Sequence, residues 1–448
     1  MNVTVRTIIC ASLALGSVPA AAQQTMSSDS VVRVTLADAV RVAAQQNAAV
    51  ESARSRIDAA RARVTQRRAD LLPTVTGVAS ERGSTINSAT FPIEFPSTPG
   101  QPALFDRNGS ILGPVNVFDA RARVAQTLYD PAARTRIESA KTGVLAATAD
   151  ASNVSDLVSV SAANAYLAVL RADALYAARV ADSALAAELL GIAQDQLKAG
   201  TGVALDVTRA RSQLTGVRTQ VISARNDRER TRIELARAMG LPPVKLEVVD
   251  ALAQLPVQAA TTAIGAGSRR DVEALNLQAQ SARQQANAIK LERLPTVGVF
   301  ADQGFSQRNG RSILPTYEFG LQLSYPIFEG FRREGRYEEQ ASVARDYEAR
   351  ARDLRTQADA DVATATLNLR SSAEVVSAAR ERLALAEQEV SQARERFQAG
   401  VAGNADVITA SLTLNTARTQ LVDALTTYQA SRVALARAQG SITTLYQR

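Results

Sequence analysis

The chain predicts a mainly α-helical fold with a small β part, written as two tandem copies of one unit in which long coiled-coil helices join short strands. Three observations predict it. First, the segment after Gly200 returns after Gly400 at an offset of 200: Asp206-Val207 matches Asp406-Val407, and Ala210 and Leu214 match Ala410 and Leu414. Arg218-Thr219-Gln220 returns as Arg418-Thr419-Gln420, and Leu235-Ala236-Arg237-Ala238-x-Gly240 as Leu435-Ala436-Arg437-Ala438-x-Gly440, which marks a duplicated supersecondary unit. Second, proline is absent between Pro131 and Pro242 and after Pro326, and both regions are rich in the strong helix formers Ala, Leu, Arg, Gln and Glu. Third, four short segments between these regions alternate apolar and polar residues with a period of two.

Residues 1–22 read as a secretory signal. Arg6 is its only charge, an apolar run extends from Ile8 to Val18, and Ala20-Ala21-Ala22 offers a small-residue cleavage site with Ala20 and Ala22 at its key positions. The alternative, a short membrane anchor, suffers from an apolar run about half a bilayer span long. The single cysteine, Cys10, lies inside this segment and in the wrong setting for lipoprotein acylation, so the exported chain carries no disulfide. The formal net charge of +7 falls to +6 without Arg6, and charges of both signs are interspersed. That pattern is a solvated surface, not a nucleic-acid stripe.

The first repeat covers 23–240, with an opening helix, a strand hairpin at 73–129 and a long helical hairpin at 131–240. Residues 241–267, with Pro242, Pro243 and Pro256, form a linker. The second repeat covers 268–440, with a strand hairpin at 295–328 and a helical hairpin at 330–440, and 441–448 is a tail. Leu72-Pro73-Thr74 matches Leu294-Pro295-Thr296 at an offset of 222, whereas Leu128-Tyr129-Asp130 matches Ile327-Phe328-Glu329 at 199. The difference of about 23 residues falls on Phe91 to Pro114, whose prolines, Asn108 and Gly109 predict a long surface loop. Ser306 to Pro315 is its shorter counterpart.

Helices from about Ala132 to Ala199 and from about Phe331 to Ala399 would each be roughly 100 Å long. Apolar stripes at spacings of three and four (Val158, Ala162, Ala165, Val169; Leu383, Ala386, Val390, Ala393, Phe397) require them to pack side by side as a tube or coiled coil. Gly200 and Gly400 stand where C-cap glycines belong, and Asp206 and Asp406 stand near the N-termini of the returning helices.

In the strands, Phe118, Ala120, Ala122, Val124 and Leu128 alternate with Asp119, Arg121, Arg123 and Thr127, and Tyr317, Phe319, Leu321, Leu323 and Tyr325 with Glu318, Gly320, Gln322 and Ser324. Val75, Gly77, Ala79 and Val297, Val299, Ala301 mark their partners. Apolar-out, polar-in strands with aromatic ends suit a transmembrane barrel; the competing reading is a half-buried sheet in a soluble domain. Four strands cannot close a barrel, so spanning strands would have to be shared among several chains.

Enzymatic chemistry is not visible. Histidine and tryptophan are absent, carboxylates on such helices are solvated faces, and a lack of His with one Cys and three Met argues against a metal or other cofactor. The G-x-G of Gly200 and Gly202 has no preceding strand and no following Gly-Lys-Ser/Thr, so it reads as a helix turn, not a phosphate loop.

Taken in order, these motifs resemble the TolC-like outer-membrane efflux proteins (outer membrane factors). Leu36-Ala37-x-Ala39-Val40 leads to Asn47-Ala48, where the family has Asn-Pro; Leu71-Leu72-Pro73 and Leu294-Pro295 are its helix-to-strand junctions; Arg270-Asp271-Val272 is similar to its Arg-Pro-Asp-Leu. Leu128-Tyr129-Asp130-Pro131 and Ile327-Phe328-Glu329-Gly330 resemble its strand-to-helix turn, and Gly, five residues, then Asp-Val is its hairpin tip. The resemblance implies a homotrimer with a 12-stranded barrel in outer-membrane lipid and a periplasmic α-barrel of twelve helices. It further implies a passive exit duct for small molecules such as drugs, docked on a periplasmic adaptor protein and an inner-membrane pump, with 241–267 at the tunnel's equator. A type I protein secretion duct shares every feature, and a periplasmic helical adaptor is a more distant alternative.

The resemblance also implies sites. Asp206 and Asp406, carried over residue by residue, would form an acidic pore constriction, against the simpler reading of helix caps. Thr409 stands where some relatives have a second acid, and Phe397 and Ala402 where others have the Tyr and Arg of a polar latch, so the mouth is expected to be held by packing more than by polar links. Adaptor contact is expected at the tip residues Gly200, Thr201, Gly202 and Val203, and Gly400, Val401, Ala402 and Gly403, which otherwise serve only as turns.

Overall fold

The computed structural model describes residues 32–90, 109–257 and 269–442. The expected signal segment with Ala20 and Ala22, residues 91–108 of the loop, 258–267 of the linker and 443–448 of the tail lie outside these. The first repeat contains β1 (Val32–Val34), α1 (Leu36–Gln46), α2 (Ala48–Ala69), β2 (Thr74–Asn87), β3 (Ile111–Tyr129), α3 (Pro131–Lys198) and α4 (Ala204–Ala238). After β4 (Leu246–Val248), the second contains α5 (Arg270–Leu291), β5 (Thr296–Arg308), β6 (Leu314–Ser324), α6 (Arg332–Gln398) and α7 (Asn404–Ala438).

The long helices follow from local chemistry. Pro131 sits in the first turn of α3 where its missing N–H costs nothing, and the Asp130 side chain accepts from the N–H groups of Ala132 (2.9 Å) and Ala133 (3.1 Å). With 68 and 67 residues, α3 and α6 are each about 100 Å long. Near the strands the helices pack in the order α2, α3, α5, α6; toward the far end the order is α4, α3, α7, α6. One edge of the chain is therefore β2, α2 and α4, and the other is β6 and α6. Alanine dominates the buried positions of these helices, as close helix approach requires.

The four long strands form one antiparallel sheet in the order β2-β3-β5-β6. Its register separates two faces residue by residue. One row across the sheet is Val75, Val124, Ala301 and Phe319; the row one residue along is Thr76, Arg123, Asp302 and Glu318. Because successive side chains in a strand point to opposite faces, the first row belongs to an apolar face and the second to a polar one. On the apolar face of β6, Tyr317 is 81% and Phe319 77% exposed, and Leu321, Leu323 and Tyr325 continue the bare surface. Tyr317 and Tyr325 bracket about 27 Å of strand at the usual rise, which at the tilt of barrel strands is about 20 Å of height, of the order of the apolar band of an outer-membrane barrel.

Two expectations need correction. Ile111–Pro114 belongs to β3, not to the long loop, because Ile111 pairs with Asn87 and Leu112 with Ile86; likewise Ser306–Arg308 and Leu314–Pro315 are strand, leaving the turn to 309–313. The opening helix of the first repeat is broken at Asn47, whose extended backbone ends α1, whose Oδ1 accepts from Ala49 N–H at 2.9 Å, and whose Nδ2 donates to the Ala238 carbonyl at 3.0 Å. Within the linker, β4 pairs in parallel with β1 to form a second, two-stranded sheet.

That small sheet lies against the largest core cluster, where both repeats meet through Tyr166, Leu167, Leu170, Leu235, Leu369, Val376, Tyr428 and Val433. Tyr166 Oη donates to Asp250 Oδ2 at 2.7 Å, with the Val34 carbonyl at 3.2 Å. Burial first, and then the Asp250 carboxylate, push its phenol far above the ordinary value, so it remains a donor. At the start of α5, Arg269 reaches Asp271 and Asp361, both at 2.7 Å, and Asp271 lies 3.7 Å from Arg437, which ties the second repeat's opening helix to both arms of its hairpin.

Two consequences are measurable. Tyr166→Phe should destabilise the protein by about 1.5–3 kcal/mol, the net worth of a hydrogen bond to a charged group, read as a lower denaturant midpoint of the detergent-solubilised chain. A Cβ on Gly304 would fall on the Ala120 carbonyl oxygen and 2.5 Å from Arg121 Cβ, whereas one on Gly77 meets nothing within 4 Å. Gly304→Ala should therefore abolish heat-modifiable gel mobility while Gly77→Ala keeps it.

Candidate functional site

The two hairpin tips, 200 residues apart in sequence, lie together at the end of the molecule farthest from the sheet. Each long helix ends in a Schellman turn. At the first tip Thr201 N–H donates to the Gln196 carbonyl and Gly200 N–H to the Leu197 carbonyl; at the second Val401 N–H donates to the Arg396 carbonyl and Gly400 N–H to the Phe397 carbonyl. The glycines sit at φ of 73° and 70°, where a Cβ is strained. Gly202 and Ala402 are partly shielded, and Thr201, Val203, Val401 and Gly403 are exposed.

Asp206 and Asp406 fall in the first turns of α4 and α7. Neither helix has a side-chain hydrogen bond at its N-cap, so neither aspartate acts as a capping group in the hydrogen-bonding sense. Asp206 is partly shielded, with Arg209 Nη1 3.8 Å away, while Asp406 is exposed. Thr409 is also exposed, and its hydroxyl is turned back onto the Ala405 carbonyl at 2.9 Å.

Phe397 is 2% exposed and packs in one cluster with Leu189, Ala193, Ala210 and Val407, so residues from all four helices of the two hairpins share one apolar plug. Polar links accompany it. Gln196 Nε2 donates to the Phe397 carbonyl at 2.8 Å, Asn404 Nδ2 donates to the Asp206 carbonyl at 2.9 Å, and Arg394 pairs with Glu188. Within a single chain the plug and these links stand together, and two of the three links run to backbone carbonyls. Higher up, Asp182, 7% exposed, receives Arg418 of α7 across the seam at 2.6 Å and Arg179 of its own helix at 3.3 Å, a buried acid bound by two guanidiniums.

A second polar cluster, not singled out from the sequence, occupies the polar face of the sheet. Asp119 accepts from Arg121 at 2.7 Å; Asp302, itself buried, lies 3.9 Å from both Arg121 and Arg123; and the Arg123 guanidinium stands 4.8 Å from the centre of the Phe300 ring. The alternation of Arg121 and Arg123 signalled a polar face, but their partner Asp302 is set by the β3–β5 register, about 180 residues away in sequence. Among the described residues no helix is long and apolar enough to cross a membrane, and no group of three or more His, Cys, Asp or Glu could hold a metal ion.

The family model described as outer membrane efflux protein matches residues 39–241 and 266–441. No curated protein sequence matches the chain. Solved structures with the same fold include the outer membrane protein VceC of Vibrio cholerae, at 19% identity and a TM-score of 0.73, covering 90% of this chain and 96% of that one. They also include the CmeC outer membrane channel of Campylobacter jejuni, at 15% and 0.71, covering 91% and 86%. The open-state MtrE outer membrane channel of Neisseria gonorrhoeae follows at 17% and 0.70, covering 91% and 89%. The match runs through both repeats, from the opening helices to the hairpin tips, and the chain therefore belongs to the outer membrane efflux protein family, channels of the outer membrane with a large helical part in the periplasm.

Proposed function

We propose that three copies of the chain form a channel-tunnel that serves as the passive exit duct of a tripartite efflux system, carrying small molecules such as drugs out of the cell. One observation carries the reading: the four-stranded sheet has an apolar face, a charged face and two unpaired edges, β2 and β6. In lipid an unpaired strand edge is prohibitive because nothing satisfies its N–H and C=O groups, so the sheet must close. Four strands are half of the smallest practical barrel, and three copies supply twelve. The polar face, with Asp119, Arg121, Arg123, Asp302 and Glu318, then lines the lumen. Its mixture of signs gives a duct with little charge preference of its own, which leaves choice of cargo to the inner-membrane pump.

At the far end, three pairs of tips gather around the axis. Three copies of Asp406, with Asp206 behind them, make an acidic ring that attracts cations and repels anions, and the Phe397 plug holds each pair of hairpins together. The exposed tip residues Thr201, Val203, Val401 and Gly403 offer the surface for a periplasmic adaptor.

Protein extracted from outer membranes in mild detergent should run as a trimer that heat converts to monomer; a monomer in unheated samples would overturn the proposal. In planar bilayers, Asp206→Asn with Asp406→Asn should lower the cation-to-anion permeability ratio read from the reversal potential in a salt gradient. Phe397→Ala should raise single-channel conductance, since truncating a buried aromatic removes about 3–5 kcal/mol of packing.

A further inference from the structure

The duplication makes a seam inside one chain the template for a contact between two. Within the chain, α3 of the first repeat runs antiparallel to α7 of the second. Their seam contains Leu167 and Val433, each 2% exposed and in the same core cluster, and the Asp182–Arg418 pair at 2.6 Å. Adding 200 to the α3 numbers and subtracting 200 from the α7 numbers converts this seam into a contact between α6 and α4. Those helices stand at the two opposite free edges of the chain, separated by α3 and α7.

The residues brought together by that operation are bare in the single chain. Leu367, the counterpart of buried Leu167, is 65% exposed, and Ile233, the counterpart of buried Val433, is 56% exposed. An apolar layer that is core between the repeats thus stands uncovered at both edges. Charge is complementary on the same surfaces. Arg218 and Arg225 on α4 are seven residues apart, as are Glu374 and Glu381 on α6, so each pair lies along one stripe of its helix. All four are exposed, and none makes an ion pair among the described residues.

We propose that α6 of one copy docks antiparallel on α4 of the next in this templated register, with Leu367 on Ile233 of the partner subunit, Glu374 on Arg225 of the partner subunit and Glu381 on Arg218 of the partner subunit. The template is not reproduced in one layer. Asp182 maps onto Arg382, which meets Arg218 of the partner subunit as a like charge, and Glu381 supplies the only acid there. Two guanidiniums share one carboxylate, which makes this the weakest layer of the seam. The proposal rests on the trimer reading above and specifies how its helices meet.

Thiol crosslinking of the full-length protein in outer membranes tests it, because Cys10 is the chain's only cysteine and lies in the expected signal. Leu367→Cys combined with Ile233→Cys should give covalent dimers and trimers with a short bis-maleimide. Either single variant should give none, and Leu167→Cys with Val433→Cys should crosslink only within a monomer. Glu381→Arg, which leaves three guanidiniums and no acid in that layer, should lower the trimer fraction severalfold in mild detergent, and adding Arg218→Glu should restore it. A native trimer that crosslinks through Leu367→Cys with Ile222→Cys but not with Ile233→Cys would overturn the register while leaving the trimer standing. Absence of any trimer in native extracts would overturn both.

Discussion

The rest of the structure depends on the backbone hydrogen bonds that β2 and β6 leave unmade. A strand edge exposed to water is a tolerable liability; the same edge in hydrocarbon is not, because no solvent molecule can take the place of the missing strand. The sheet's register has already committed one face to lipid, with Val75, Val124 and Phe319 in one row and Thr76, Arg123 and Glu318 in the next. In the proposed trimer, closure with other copies satisfies the edges and places the charges inside in a single step. It also fixes the arrangement of everything below, since each strand continues into a helix and a closed ring of strands requires a closed ring of helices.

Helical propensity, the absence of proline and buried alanine make α3 and α6 long and closely packed, but these do not specify which helix neighbours which. Specificity comes from the few polar groups that are withdrawn from water. Exposed ion pairs such as Arg61 with Asp58 or Lys198 with Asp195 contribute little. Asp182, bound by Arg179 of its own helix and Arg418 of α7, is different, because a buried carboxylate is costly to leave under-paired and any other alignment of α3 on α7 would take Arg418 away from it. Tyr166 with Asp250 plays a similar part between α3 and the linker, where β1 and β4 pair.

Much of this was legible in the sequence, and what was not shares one cause. The repeat, the proline-free helices, the glycine turns at Gly200 and Gly400 and the polar and apolar faces of β3 and β6 are local signals, each contained in a few adjacent residues. Pairings across long separations were not legible. The three-residue strands β1 and β4 are too short to show a period, and each exists only because the other is present. Asp302 joins Arg121 and Arg123 only through the register of β5 on β3, and Gln196 and Asn404 look like ordinary tip residues until the second hairpin places the Phe397 and Asp206 carbonyls within reach. Proline and polar residues near Ile111 to Pro114 outweighed the strand signal there, because a loop and a strand emerging from it share composition. Asn47 shows how a departure is absorbed: without the family's following proline, its own side chain still breaks the helix and caps the next one.

The 68 residues of α3 and 67 of α6 carry a constraint on how such a chain can change over generations. Both helices start at the same membrane level and must bring their tips to the same depth, so a deletion of one turn in either repeat would stagger Gly200 against Gly400 and pull Gln196 and Asn404 away from their carbonyls. Length in the helical part can therefore drift only through matched insertions or deletions in all four arms of the two hairpins, a rare combination. Length beyond the strands is free of that coupling, and it is there, between β2 and β3, that the two halves of the gene have grown apart by about 23 residues. A duplicated tunnel is in this sense a ruler copied twice: its divisions are locked to each other while its outer end is left open to variation.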